Sequence, residues 1–155
     1  MSISLFDAIR DGNLAAVQLL LQNDANLVNE IDARGSTPLI LATYYGNEEI
    51  VKILLSYSKD VNAKDASGNT ALMGVCFKGY ESIAKLLIEK GARLNETNFN
   101  GGTALIYAAT FGKDAIVKLL LKYGADKTIK DDKGYTAMDH AKMQSNSSTI
   151  TLLEA

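Results

Sequence analysis

Residues 35–39 read GSTPL, and the same five-residue phrase returns in three steps of 33 as GNTAL at 68–72, GGTAL at 101–105 and GYTAM at 134–138. In the first of these, Thr37 precedes Pro38, which places a side-chain oxygen where free helical amides need an acceptor and a fixed helical φ at the first position. A helix is expected to start there. Leu39 and Ala42 then share one face, and Gly46, able to take positive φ without a Cβ penalty, stops the helix after about two turns. Asn47 can cap a second helix, in which Ile50, Ile53 and Leu54 form an apolar stripe and Glu48, Glu49 and Lys52 are left to water. Before the phrase, Asp32-Ala33-Arg34-Gly35, Asp65-Ala66-Ser67-Gly68 and Asp131-Asp132-Lys133-Gly134 set Asp at the start and Gly at the end of a tight reversal.

Working outward, Gly46/Gly79/Gly112, Ile50/Ile83/Ile116, Ile53/Leu86/Leu119 and Leu54/Leu87/Leu120 keep the period of 33. The first unit joins with one extra residue, since Leu5, Ala8, Gly12 and Val17 lie 34 before Leu39, Ala42, Gly46 and Val51; the insertion falls in a loop from Asp24 to Asn29. In the last unit Ser145 replaces the glycine, and Ile150, Leu152 and Leu153 repeat the second-helix columns. The expected organisation is one domain over 1–155, with an N-terminal cap at 1–31, repeats at 32–64, 65–97 and 98–130, and a truncated cap at 131–155. Helices below roughly 12 to 15 residues are marginal alone, so stacking must stabilise them. The fold class read from this is all-α, a solenoid about 40 to 50 Å long.

The chain has 155 residues, 47% of them hydrophobic and 22% charged, enough for a continuous core. Sixteen Lys and Arg against eighteen Asp and Glu give a formal charge of -2, without the one-sided field that nucleic acid or anionic lipid calls for. One Cys and one His support neither a disulfide scaffold nor a zinc site. No secretory leader or membrane-length apolar segment is read, and a cytoplasmic protein without metal or cofactor is expected.

The repeat resembles the ankyrin family: the turn glycine, Thr-Pro/Ala-Leu, the mid-loop glycine, paired leucines and the Gly-Ala of Gly91-Ala92 and Gly124-Ala125 agree together over Ser4 to Leu153. That resemblance implies antiparallel helix pairs, β-hairpin-like finger loops, and protein binding through the finger tips and a concave helix face. It also marks departures. Where the family carries a histidine after Thr-Pro-Leu, this chain has Ile40, Met73, Ile106 and Asp139, so apolar packing is expected in its place. Ser58-Lys59 stands for Gly-Ala, and Gly74 stands where Leu41 and Tyr107 occur one unit away, which reads as a softer third repeat.

No constellation reads as a reaction centre. Cys76 and His140 fall almost two repeats apart, roughly 15 to 20 Å on that register, too far for a nucleophile pair; they read as a partly buried thiol and a side chain at the core edge. Asp131-Asp132 and Glu48-Glu49 diverge as sequence neighbours and read as turn and solvated-face residues. Asn100-Gly101-Gly102 lacks the lysine and spacing of a phosphate loop. Tyr57 and Tyr123, at equivalent second-helix ends, read as structural.

Superposing the units brings out a surface. The two residues before each helix-ending glycine are Arg10-Asp11, Tyr44-Tyr45, Phe77-Lys78 and Thr110-Phe111. By the ankyrin resemblance these lie on the concave face. Tyr44, Tyr45, Phe77 and Phe111 are expected to form an anchor row, Arg34, Lys78 and Lys133 its polar rim, and Phe99 and Tyr135 finger contacts, because rings and Arg bury large areas at low conformational cost. The expected function is a non-enzymatic, monomeric adaptor or inhibitor that binds a protein partner. Truncating Tyr45 and Phe77 should weaken capture and leave the fold nearly unchanged. The alternative is a homo-oligomerising scaffold that uses the same rings; an enzyme would need a pocket with convergent polar groups.

Overall fold

A computed structural model of the chain describes residues 3–155. The second to fifth units start as the caps dictate: the hydroxyls of Thr37, Thr70, Thr103 and Thr136 accept from the amides of Ile40, Met73, Ile106 and Asp139 at 3.1 to 3.3 Å. The helices are α1 Leu5–Arg10, α2 Leu14–Asn23, α3 Pro38–Tyr45, α4 Glu48–Tyr57, α5 Ala71–Lys78, α6 Glu81–Glu89, α7 Ala104–Thr110, α8 Asp114–Lys122, α9 Ala137–Met143 and α10 Ser147–Glu154. Gly46 ends α3 and Gly79 ends α5 in the left-handed region, at φ of 73° and 79°. Ser145, which replaces the glycine in the last unit, is also left-handed at 56°. At Ser58 no glycine is needed, because its own hydroxyl donates to the Leu54 carbonyl at 2.8 Å.

The helices form two layers. First helices pack in series, α1 on α3, α3 on α5, α5 on α7 and α7 on α9, and second helices do the same from α2 to α10. Ala8, Ala42, Val75, Ala108 and Ala141 form one fully buried column of small side chains, which lets the first helices approach closely. Ile50, Ile83 and Ile116, with Leu54, Leu87 and Leu120, fill the space between the layers. This is an all-α solenoid with no strand among the described residues.

The finger reversals are closed by single backbone bridges, from the amides of Asp32, Asp65, Asn98 and Asp131 to the carbonyls four residues on, at 2.9 to 3.0 Å. Successive fingers are also joined, Phe99 N–H donating to the Ser67 carbonyl at 3.1 Å and Asp132 N–H to that of Asn100 at 3.0 Å. On the opposite loops Asn62 Oδ1 accepts from the Arg93 amide at 2.7 Å, and Asn95 Oδ1 from the Asp126 amide at 2.8 Å.

Ile40, Met73 and Ile106 are buried and supply the apolar packing expected in place of histidine. Asp139 does something else: its carboxylate accepts from the Thr136 amide at 3.0 Å and completes a capping box. Three readings are corrected. The insertion after Asp24 is a 3₁₀ helix, Ala25–Asn29, started by the Asp24 side chain on the Asn26 amide at 3.1 Å, because an Asp there satisfies the first free amide. Cys76 is wholly buried, not partly, since it faces inward from α5. Tyr123 is exposed and turned towards Lys122, whereas Tyr57 packs against the core as expected.

Candidate protein-binding groove

The ends of α1, α3 and α5 and the two turns beside them enclose a concavity of about 810 Å³. Five of the nine predicted residues line it: Arg34, Tyr44, Tyr45, Phe77 and Lys78. Their rings are held half-exposed by each other. Tyr44 and Tyr45 meet edge to face at 5.4 Å, and Lys78 Nζ sits 4.2 Å from the centroid of the Tyr44 ring, a cation–π contact. Phe111 lies outside the concavity but continues the row, its ring 5.1 Å from that of Phe77.

The other three belong to the fingers. Phe99, 68% exposed, packs over Gly68, where an added Cβ would come within 2.8 Å of its Cδ1. Tyr135 meets His140 edge to face at 5.7 Å, and Lys133 is an exposed turn residue. The nine residues thus divide into a groove set and a finger set rather than one continuous patch.

Sequence reasoning missed Asp65 and Asn69 on the groove wall and the junctions that continue the row beyond it. Tyr107 stacks on Phe77 at 4.5 Å, making a three-ring cluster with Phe111. Its hydroxyl hydrogen-bonds the buried Asn98, whose amide also donates to Asn69 Oδ1 at 2.9 Å and whose Oδ1 accepts from Gly102 N–H at 2.9 Å. In the next unit His140 Nε2 lies 2.7 Å from Asp131 Oδ2. Asp131 is partly desolvated, which alone would raise its pKa; the Tyr135 amide, His140 and the Lys133 amide outweigh this and hold it below the usual carboxylate range. The available signal was the spacing of nine from each turn-opening Asx to the first-helix residue: Asn98 to Tyr107 and Asp131 to His140.

Charge in the groove is unevenly committed. Asp32 Oδ1 accepts from the amides of Arg34 and Ser36 at 2.9 Å, and Asp65 Oδ1 from those of Ser67 and Asn69 at 2.9 Å. Arg10 reaches Asp7 at 3.3 Å and Asp32 at 3.8 Å. Among the described residues neither Arg34 nor Lys78 has a carboxylate within 4.0 Å. Lys78 therefore stands over the Tyr44 ring, and Arg34 on the same groove wall, each without a carboxylate partner. No group of three or more His, Cys, Asp and Glu side chains that could hold a metal occurs among the described residues.

A family model described as ankyrin repeats, in three copies, matches residues 5–98, and a second, of many copies, matches 86–141. The chain belongs to the ankyrin repeat family. Ankyrin repeats mediate protein–protein interaction and are typically non-enzymatic. Mouse "Ankyrin repeat and SAM domain-containing protein 6" is 46% identical over 50 residues, 32% of this chain and 6% of that protein. Human "DNA-binding protein RFXANK" is 39% identical over 59 residues, 38% of this chain and 23% of that one. Zebrafish "Ankyrin repeat domain-containing protein 29" is 41% identical over 58 residues, 37% and 20% of the two chains. The aligned ankyrin repeats span less than a quarter of each of these three relatives. No helix among the described residues is long and apolar enough to cross a membrane.

Proposed function

We propose that the 155 residues act as one interaction module, an adaptor or inhibitor that captures a protein partner in the groove bounded by Tyr44, Tyr45, Phe77, Arg34 and Lys78, with Phe111, Phe99, Lys133 and Tyr135 as flanking contacts. The observation that carries this is the row of half-exposed rings beside two unpaired cations on a preformed wall. Such a wall loses little ordering entropy on binding, and desolvated Tyr, Phe and Arg are the side chains on which interfaces concentrate their energy. A standard interface would cover about 800 Å² of this side. The mixture of Asp and Arg in the groove, with a formal charge of -2, favours protein over nucleic acid. A single buried thiol fits a reducing compartment such as the cytoplasm.

The test is affinity purification with mass spectrometry using the wild type and Tyr45→Ala/Phe77→Ala, followed by calorimetry on the purified partner. The double variant should bind at least tenfold more weakly, about 1.4 kcal/mol. Equal affinity defeats the assignment. Light scattering over a concentration series, if it showed stable dimers, would transfer the same surface to a second copy.

A further inference from the structure

Gly74 is a helix-interior glycine that the fold does not require. Its φ is not among the positive ones, and an added Cβ would meet nothing closer than Thr43 Oγ1 at 3.9 Å. Gly46 is the contrast: it is left-handed, and a Cβ there would strike the Tyr80 ring at 2.6 Å. A mid-helix glycine weakens its helix relative to alanine, so its effect at position 74 is to leave space in the groove wall.

What fills that space elsewhere is visible one and two repeats later. At position 107, 33 on, the Tyr107 ring stacks on Phe77 and its hydroxyl bonds Asn98, the residue that opens its own turn. At position 140 His140 reaches Asp131, likewise the opener of its own turn, at 2.7 Å. Subtracting 33 from the first set gives Gly74, Tyr44 and Asp65, and all three line the groove. Tyr44 is 55% exposed, and Asp65 Oδ2 accepts no hydrogen bond among the described residues. The stacking partner and the acceptor are in place without the ring that joins them.

Resting on the protein-capture reading above, we infer that the recess over Gly74 receives one aromatic side chain of the partner that ends in a hydrogen-bond donor, histidine or tyrosine, stacked on Tyr44 and donating to Asp65. The charge complementarity is that of a donor tip to a carboxylate oxygen. Histidine matches more closely. The third repeat has Asp65 and Asn69 where the last has Asp131 and Tyr135, and there the shorter imidazole reaches the carboxylate past a side chain at the second position. In the fourth repeat that second position is Gly102, whose absent side chain admits the Tyr107 hydroxyl within 2.9 Å of where a Cβ would stand.

The test is a phage-displayed library of short linear peptides panned on the full chain, the enriched peptides then being measured on Gly74→Tyr, a variant that fills the recess from within. Peptides enriched on the wild type should share a histidine or tyrosine at one position. In synthetic form they should bind at least tenfold more weakly when that ring becomes alanine, and equally so to Gly74→Tyr. Asp65→Asn, which keeps the turn as Asn98 does, should weaken histidine peptides severalfold. Circular dichroism and a melting temperature at or above the wild type establish that Gly74→Tyr is folded; if it is not, Gly74→Leu, the residue of Leu41, takes its place. Peptides that lose affinity in Tyr45→Ala but bind Gly74→Tyr unchanged, or that share no ring, leave the groove standing and overturn the recess. No enrichment overturns the recess as well. Peptides indifferent to both Tyr45→Ala and Gly74→Tyr would sink the groove reading itself.

Discussion

Thr149, buried in α10, donates its hydroxyl to Asp114 Oδ1 at 2.5 Å, while Ser148 donates to the other oxygen at 2.6 Å. One carboxylate at the start of α8 thus holds the last helix of the stack. Asp114→Ala leaves the Thr149 hydroxyl without its acceptor. It should cost about 1–2 kcal/mol, and lower Tm by about 3–6 °C in a scanning calorimeter. An unchanged Tm would count against this anchor.

Acid should undo the same end first. Hydrogen bonds from Ser148 and then Thr149 hold the Asp114 carboxyl below its usual range, and Asp131 is held down despite its desolvation. The unfolded chain therefore binds these protons more readily than the folded one. The stabilisation is present above the ordinary carboxylate pKa of about 4 and is lost as pH falls through the depressed folded values. Amide cross-peaks of residues 137–154 are expected to broaden or shift to unfolded positions before those of α3 to α6 when pH is lowered from neutral. The reverse order would contradict this.

Two left-handed positions call for opposite substitutions. Gly46→Ala combines positive φ with a clash against Tyr80 and should cost about 2–4 kcal/mol by urea unfolding. Ser145→Gly relieves a side chain held at φ 56° and should stabilise by about 0.5–1 kcal/mol.

Gly74→Ala is expected to stabilise by about 1 kcal/mol, since its Cβ enters open space and the backbone there is ordinary helix. A loss of stability would mean that α5 needs the glycine for packing, which the nearest contact at 3.9 Å gives no reason to expect.

The two groove rings differ in what they hold. Phe77 touches Tyr107 and Phe111, so Phe77→Ala should cost about 1–2 kcal/mol, contrary to the expectation that both rings are dispensable to the fold. Tyr45 has Tyr44 as its aromatic neighbour, and Tyr45→Ala should stay within about 0.5 kcal/mol of the wild type. Chemical denaturation of each single variant separates them.

The scaffold was legible because its determinants are local and recur: Thr before a short apolar run, glycine after it, and a second stripe in fixed phase. Thr37, Gly46, Asn47 and Ile50 each do in the structure what their chemistry dictates within a few residues of chain. The groove was legible only as a set of columns. Periodicity identifies equivalent residues but not which ring of one repeat meets which of the next, so the Phe77–Tyr107 stack, 30 residues apart, and the Asn98 junction behind it went unread. Gly74 was noticed as a weakness in a helix; its meaning as space needed the neighbours on either side. The depth of Cys76 was missed for a similar reason, since it follows Val75 and only the crossing of α5 with adjacent helices encloses both.

That enclosed sulfur also makes the protein its own clock. Cys76 is the single thiol of the chain, and burial pushes its pKa up, so an alkylating reagent finds neither access nor thiolate while α5 stays packed. The pace at which it is capped would count how often the middle of the stack comes apart.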